Sequence, residues 1–177
     1  PGWYRLPGDR RRYRDWILRI RGTGHAPEVD LKMAIAESCD VYFYDLARRL
    51  SVDGIHDYLA HFGLGERTGV DTTAERPGVL PSRAWKRAAM NQPWYPGETL
   101  SVGIGQGYML MTPLQLAVAT SALATRGELR EPRIVQWLGT ERVEAPLLET
   151  VPADGAHWDA VVEAMREVVH GRRGTAK

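Results

Sequence analysis

Apolar residues between positions 30 and 63 recur at helical spacing, with interruptions at Ser38 and at Ser51. The pattern predicts a helix before Ser38, a second helix after it, and a third helix that begins at Ser51. Serine is a favoured N-cap residue, and Gly63 is placed to end the third helix as its C-cap. The apolar positions of this third helix are Ile55, Tyr58, Leu59 and Phe62.

The second half of the chain contains the clearest helix start. Thr112 is a favoured N-cap residue, Pro113 suits the first helical position, and Gln115 is placed to complete a capping box. This helix is expected to stop at Gly127. Its many small residues allow another element to approach it closely.

Three further elements follow less regular patterns. A short helix begins at Ser82, inside an otherwise turn-rich stretch from 65 to 100. Residues 133–138 are predicted to form a strand, with residues 142–148 as its hairpin partner. A last amphipathic helix starts at Asp154.

The composition is that of an ordinary soluble globular domain, with 44% hydrophobic and 25% charged residues and a net charge of +1. So small a net charge provides no basic field, and no nucleic acid partner is expected. No apolar run is long enough to span a bilayer, and the single cysteine excludes an internal disulfide. The chain begins Pro1-Gly2-Trp3-Tyr4 without an initiator methionine, so we expect residues 1–177 to be one partial domain of a longer protein.

Ser38-Cys39-Asp40 sets a hydroxyl, the only thiol of the chain and a carboxylate side by side before a predicted helix. Ser38 either caps that helix or belongs to a catalytic site, and the residues alone leave both interpretations open. The motif Gly103-x-Gly105-x-Gly107 lacks the spacing of a nucleotide-binding loop and predicts close backbone packing with positive φ angles. The basic residues 10–14 predict a solvated face, with a short phosphate-binding patch as the alternative.

Several longer motifs occur together in the order found in one enzyme family. They are Pro93-Trp94-Tyr95-Pro96-Gly97-Glu98-Thr99, Val102-Gly103-Ile104-Gly105-Gln106-Gly107-Tyr108, Thr112-Pro113-Leu114-Gln115 and, upstream, Tyr13-Arg14-Asp15-Trp16. Over nearly its whole length the chain resembles the transpeptidase domain of class B penicillin-binding proteins, most closely the elongation-type penicillin-binding protein 2 group. The resemblance implies the helix-rich part of the α/β penicillin-binding transpeptidase and serine β-lactamase-like fold, with at most one or two strands of its sheet.

The resemblance also gives Ser38-Cys39-Asp40 a function as the second active-site motif of the family. It implies that Ser38 relays a proton near the nucleophile and that Asp40 orients the motif and the substrate amide. The chain contains neither Ser-x-x-Lys, which supplies the nucleophile in this family, nor Lys-Ser/Thr-Gly. The implied function is therefore that of a peptidoglycan DD-transpeptidase with an acyl-serine intermediate, of which these 177 residues alone are inactive.

The partners implied by the resemblance are the peptidoglycan stem peptide, β-lactam antibiotics and membrane proteins of the elongation complex. The implied location is the periplasmic side of the bacterial inner membrane, with a membrane anchor outside this chain. Two alternatives stay open. One is a serine β-lactamase or DD-carboxypeptidase, which shares the motifs, and the other is a non-catalytic, metal-stabilised binding module of the elongation complex.

Asp15, His25 and Cys39 carry side chains of the types that bind zinc. Their spacing is not that of a zinc finger, so it also permits a buried thiol that acts as a small hydrophobe. The resemblance implies a structural zinc ion, since some elongation-type relatives hold a metal beside this motif. The fourth ligand is expected to be water, Asp9 or a residue outside the chain.

Overall fold

The computed structural model describes residues 2–176, and the chain divides into two compact units. The first unit contains the residues up to Ile55, Ser82–Gly107 and the residues from Asp159 onward. The second contains His56–Pro81 and Tyr108–Trp158. Within the described residues the elements are, in chain order, β1 (Trp3–Tyr4), β2 (Tyr13–Arg14), α1 (Ile17–Arg21), α2 (Leu31–Ala36), α3 (Asp40–Ala60), α4 (Arg83–Met90), α5 (Pro96–Gly103), α6 (Pro113–Ala124), β3 (Glu128–Arg130), β4 (Trp137–Leu138), β5 (Glu141–Arg142), β6 (Leu147–Thr150) and α7 (Gly155–His170).

The first unit begins with the antiparallel ribbon of β1 and β2, in which Tyr4 lies opposite Tyr13. Both tyrosines pack against a core cluster of Leu6, Tyr44 and Leu100. This cluster joins the ribbon to α3 and α5, because Leu6 lies in the loop between β1 and β2, Tyr44 on α3 and Leu100 on α5. The ribbon therefore fixes the start of the segment that leads to Asp15.

The breaks predicted at Ser38 and Ser51 are both present. Helix α2 ends before Ser38, and α3 begins after it. Ser51 interrupts α3 with φ of 65° and ψ of 163°, and its Oγ accepts a hydrogen bond from the Gly54 N–H at 3.3 Å. The prediction that Ser51 caps the following helical segment is thus confirmed.

The turn-rich stretch contains one helix that was predicted and one that was not. Ser82 caps α4 as expected, with its Oγ accepting from the Trp85 N–H at 3.0 Å. Helix α5 was missed because Pro96-Gly97 looked like a turn. Proline is equally favoured at the first helical position, and Glu98 Oε2 accepts from the Tyr95 N–H at 2.8 Å to complete this start.

The glycine motif packs as the sequence predicted. Gly105 and Gly107 have φ angles of 71° and 75°. A Cβ on Gly103, the last residue of α5, would overlap the Cβ of Ala47 and approach the carbonyl of Phe43 on α3. Helices α3 and α5 therefore approach each other through a position that only glycine fills.

In the second unit, α6 begins with the predicted capping box. Thr112 Oγ1 accepts from the Gln115 N–H at 3.1 Å, and Gln115 Oε1 accepts from the Thr112 N–H at 2.8 Å. The Gln115 amide nitrogen also donates to the carbonyls of Glu66 and Pro77, both at 2.7 Å. The cap therefore also holds part of the preceding loop.

The hairpin predicted over residues 133–148 is only partly right. Strands β4 and β5 form a tight hairpin, but β6 pairs with β3, which places Leu129 opposite Glu149. Burial explains this choice, because Leu129 on β3 and Val151 after β6 are 4% and 2% exposed. The described residues hold six short strands in three two-stranded ribbons.

Helix α7 follows Asp154, where the sequence predicted the start of a last helix. Met165 and Val169 are exposed although both are apolar, whereas the small residue Ala164 is fully buried. An alanine lets a neighbouring element approach the helix more closely than a longer side chain does. Side-chain volume, rather than apolar character alone, therefore determines which face of α7 is buried. Among the described helices, none combines the length and apolar character needed to cross a bilayer.

Candidate active site and metal centre

The Ser38-Cys39-Asp40 motif forms the junction between α2 and α3. The N–H of Cys39 donates to the Ala34 carbonyl at 2.9 Å, which binds the junction to the end of α2. Because α3 begins at Asp40, Cys39 occupies the N-cap position and Ser38 lies one residue before it. The interpretation of Ser38 as the helix cap is therefore wrong.

Ser38 itself has an unusual backbone conformation, with φ of 54°. For an L-residue the left-handed region costs roughly 1–2 kcal/mol, and such residues cluster at functional sites. Its side chain is exposed while both neighbours, Glu37 and Cys39, are buried. The junction thus presents the Ser38 hydroxyl to the outside of the first unit.

Trp16 holds this junction through two hydrogen bonds. Its indole Nε1–H donates to the Ser38 carbonyl at 2.7 Å, and its backbone N–H donates to Asp40 Oδ2 at 3.1 Å. The two bonds fix the residues on either side of Cys39. Sequence reasoning did not select Trp16, although it lies in one of the motifs that carry the family resemblance.

Asp40 is half-buried, and its surroundings affect its charge. Burial raises the pKa of Asp40 above its ordinary value, and the negative charge of Asp15 acts in the same direction. The hydrogen bond from Trp16 opposes this rise by favouring the ionised carboxylate. In its ionised form Asp40 can accept hydrogen bonds from an amide through its carboxylate oxygens.

The side chains of Asp15 and His25 lie close to Cys39, the middle residue of this motif. One ligand atom from each lies within 4.8 Å of the other two. His25 Nε2 lies 3.2 Å from Asp15 Oδ1, and the Asp15 and Cys39 side chains are almost completely buried. Among residues 2–176 this is the one group of three or more potential metal ligands so closely spaced.

The charge state of Cys39 depends on the same cluster. Burial raises the pKa of the Cys39 thiol to about 11, and the charge of Asp15 adds to the rise, while the backbone N–H of Tyr42 opposes it. A bound cation would reverse this balance, because metals bind the thiolate. A buried thiol, an imidazole and a carboxylate form a donor set that fits zinc.

Asp15 also connects this cluster to the Ser38-Cys39-Asp40 motif. Its Oδ1 accepts from the Ile17 N–H at 3.1 Å, and its Oδ2 accepts from the Val41 N–H in the first turn of α3 at 3.2 Å. The carboxylate is 1% exposed. An interaction that fixes the position of Asp15 therefore also fixes the first turn of α3.

Two residues near the cluster were not foreseen, and one expected ligand lies elsewhere. Glu37 is 3% exposed and approaches His25 Nδ1 and Arg173 Nε through its two carboxylate oxygens. Nothing in the sequence pattern distinguishes it from a surface glutamate. Asp9, considered as a fourth ligand, is outside the cluster and accepts a hydrogen bond from the Arg11 N–H at 2.9 Å.

An open depression of about 540 Å³ adjoins Asp40 and Trp16 within the first unit. Its polar lining residues include Arg14, Arg19 and Gln106 beside the acidic Asp15 and Asp40. Guanidinium groups bind carboxylates, and an amide side chain both donates and accepts hydrogen bonds. The depression is therefore suited to a ligand with peptide and carboxylate groups.

Comparison with known families identifies the class of protein. The family model for the penicillin binding protein transpeptidase domain matches residues 3–177. The chain therefore belongs to the penicillin-binding protein transpeptidase domain family, and its similarities within that family are to the elongation-type penicillin-binding protein 2 group.

Three relatives illustrate that similarity. The chain is 37% identical over 182 residues to the peptidoglycan D,D-transpeptidase MrdA of Haemophilus influenzae. The alignment covers 100% of this chain and 27% of that protein. The crystal structure of Pseudomonas aeruginosa PBP2 in complex with WCK 5153 matches with a TM-score of 0.89 and 43% identity, over 99% of this chain and 38% of that one. The complex between PBP2 and MreC from Helicobacter pylori matches with a TM-score of 0.84 and 33% identity. The match covers 99% of this chain and 31% of that one. The fold class expected from the sequence is thus confirmed, and the chain spans about a quarter of the length of the curated relative.

Proposed function

We propose that the whole protein containing this chain is a peptidoglycan D,D-transpeptidase that cross-links the cell wall. The observation that carries the proposal is the family match over residues 3–177. The junction at Ser38-Cys39-Asp40 supports it, since an exposed hydroxyl and a half-buried carboxylate are held there by Trp16.

In the proposed reaction a serine outside this chain attacks the carbonyl between the two D-alanines of a stem peptide. The terminal D-alanine leaves with a proton on its amine, and an acyl-serine forms. An amine of a neighbouring strand then attacks the acyl group, loses a proton and releases the serine. Ser38 relays the proton near the nucleophile and leaving group, and Asp40 accepts a hydrogen bond from the substrate amide.

The proposed partners and location follow from the same relatives. The Helicobacter pylori protein was solved with MreC, so we expect a membrane-associated elongation protein to bind the whole protein here too. Stem peptide and β-lactams are the proposed ligands of the active site. The proposed location is the periplasmic side of the bacterial inner membrane.

Labelling with a fluorescent penicillin tests the activity. We expect a protein of the relatives' full length that contains this chain to form a stable covalent adduct on a serine outside residues 1–177. Rapid release of the hydrolysed antibiotic would instead indicate a β-lactamase. Absence of both label and turnover would favour a non-catalytic binding module, and either of these results overturns the proposal.

We also propose that Asp15, His25 and Cys39 bind one structural zinc ion. The buried donor set and the close spacing of the three ligand atoms support this site. The ion would supply a charge that stabilises the Cys39 thiolate and would join the Gly-rich loop before His25 to the start of α3. Its contribution would be to order the junction, while the proposed chemistry proceeds through an acyl-serine.

Elemental analysis of protein purified without chelator tests the metal site. We expect about one equivalent of zinc in the wild type and in a His157→Ala variant, which alters an exposed histidine of α7. The His25→Ala variant should lose most of it. A wild-type content below about a tenth of an equivalent would reject the site.

A further inference from the structure

Glu37 lies between the proposed metal ligands and the segment that follows α7. Its Oε2 is 3.2 Å from His25 Nδ1, and its Oε1 is 3.0 Å from Arg173 Nε. Only 5% of the Glu37 side chain is exposed, and 4% of the His25 side chain. Each carboxylate oxygen therefore has its own partner in a nearly dry environment.

The contact with His25 determines which of its nitrogens remains for a metal. An ionised carboxylate only accepts hydrogen bonds, so in a metal-bound state with Nε2 on the metal, Nδ1 carries the proton and donates it to Glu37. The other nitrogen, Nε2, is the one that faces Asp15 at 3.2 Å. Histidine ligands of metals commonly donate their second N–H to a carboxylate, which sets the tautomer and the ring orientation.

Arg173 gives the buried carboxylate the partner that its burial requires. Removing a carboxylate from water is costly unless it is paired and hydrogen-bonded. Half of the Arg173 side chain remains exposed, so the arginine approaches Glu37 from the surface. Arg173 thus restricts Glu37 to the orientation in which Oε2 faces His25.

We propose that Glu37 is a positioning residue that selects Nε2 of His25 as the metal-binding nitrogen, and that Arg173 holds Glu37 in place. The metal centre then extends beyond its ligands to the segment after α7. This inference rests on the zinc site proposed above. It assigns Glu37 and Arg173 a function in metal affinity, beyond that of a buried ion pair in the fold.

Zinc affinity measured by competition with a chromogenic chelator is the first test, with the protein at the relatives' full length. Glu37→Gln should weaken zinc binding by about 10–100-fold, the range seen when such outer partners of ligands are changed. Glu28→Gln is the matched control, because Glu28 is exposed in the loop before α2 and loses the same charge. Arg173→Gln should weaken binding less than Glu37→Gln but more than Arg21→Gln, which removes an exposed arginine at the end of α1.

A spectroscopic readout separates positioning from loss of fold. In the zinc-loaded wild type, the Nδ1 proton of His25 should give a slowly exchanging NMR signal coupled to nitrogen. This signal should disappear or move upfield in Glu37→Gln while the amide spectrum of the chain is retained. The Glu28→Gln spectrum should match the wild type.

The outcomes distinguish this inference from the site on which it rests. If the wild type binds no zinc, the zinc site and the inference both fall. If the wild type binds zinc and Glu37→Gln binds it within twofold of Glu28→Gln, only the inference falls. A proton signal on Nε2 in the zinc-loaded protein would also overturn it.

Discussion

At Ser38 the chain adopts a backbone conformation that the residue itself disfavours, and its neighbours explain why. The Cys39 N–H is bound to the end of α2, and the Ser38 carbonyl is bound to the indole of Trp16. Both contacts hold the peptide group that follows Ser38, and the Ser38 N–H donates to the Ile35 carbonyl at 3.3 Å, which holds the peptide group before it. With the backbone held in this conformation, the Ser38 side chain lies on the exposed surface.

Ser38→Ala is expected to impair acylation without unfolding the protein. Loss of one proton-relay group typically slows a reaction by on the order of 10²–10⁴-fold. Alanine experiences the same cost at φ of 54°, so the unfolding midpoint should stay close to that of the wild type. The measurement is the acylation rate constant with a fluorescent penicillin in the full-length protein.

Ser121→Ala provides the control, because Ser121 is an exposed serine in the last turn of α6. Its acylation rate should equal that of the wild type. If Ser38→Ala acylates as fast as this control, Ser38 has no function in proton transfer.

Thr112→Ala should lower the free energy of unfolding by roughly 0.5–2 kcal/mol. The substitution removes the oxygen that accepts from the Gln115 N–H and leaves that donor without its cap. Thr120→Ala is the matched control in the same helix, since Thr120 is exposed and its hydroxyl donates to a carbonyl one turn earlier. Equal unfolding midpoints for the two variants in urea would contradict the importance of the cap.

These residue-scale features differ in how far the sequence could predict them. The caps at Ser51, Ser82 and Thr112 depend on partners three residues away, so a local pattern is enough. Glu37 contacts residues 12 and 136 positions away, and Trp16 contacts Ser38 at the junction. A local sequence pattern carries no information about contacts between residues so far apart. Asp15, His25 and Cys39 were selected by their chemistry and by resemblance, and the fold brings them together.

At the scale of elements, the approach of α5 to α3 depends on a single missing side chain. Gly103→Ala should destabilise the protein by roughly 1–3 kcal/mol, because the added methyl meets Ala47 and the Phe43 carbonyl. Gly155→Ala is the control, since a Cβ there meets no atom within 4 Å at the start of α7. It should be neutral or stabilising by up to about 1 kcal/mol.

Thermal and urea unfolding of both glycine variants provide the measurement. If the Gly103→Ala variant is as stable as Gly155→Ala, then α3 and α5 can move apart to accommodate the methyl group with no loss in the free energy of unfolding. The glycine motif would then need an explanation other than close packing.

Strand pairing is the feature of the fold that the sequence pattern predicts least well. Residues 142–148 have a pattern that suits a strand, but a strand pattern does not name its partner. Leu129 decides the pairing, because its burial requires β6 to lie beside β3. A three-residue strand such as β3 is too short to be recognised from alternation alone.

At the scale of the whole molecule, the resemblance assigns the chain one of the three motifs on which the family chemistry depends, the proposed site at Ser38-Cys39-Asp40. None of its five serines is followed three residues later by lysine. A serine without an activating base and oxyanion donors is a poor nucleophile. The fold class could be predicted only by resemblance, because composition and periodicity alone fit many mixed folds.

The 177-residue chain by itself is therefore expected to form no penicillin adduct. Intact-mass measurement after incubation with the antibiotic should give the unmodified mass, whereas the full-length protein should gain the mass of one penicillin. The full-length Ser38→Ala variant, given longer incubation, serves as a slow positive control. A stoichiometric adduct on Ser38 in the short chain would contradict this expectation.

The buried lysine of α4 offers a way to follow the first unit as it opens. Lys86 is 1% exposed, pairs with Glu98 and lies over the rings of Trp94 and Tyr95. Lys32, by contrast, lies exposed on α2. A protease specific for lysine should therefore cut the native chain after Lys32 long before Lys86, and the delay would measure how seldom the α4–α5 region comes apart in solution.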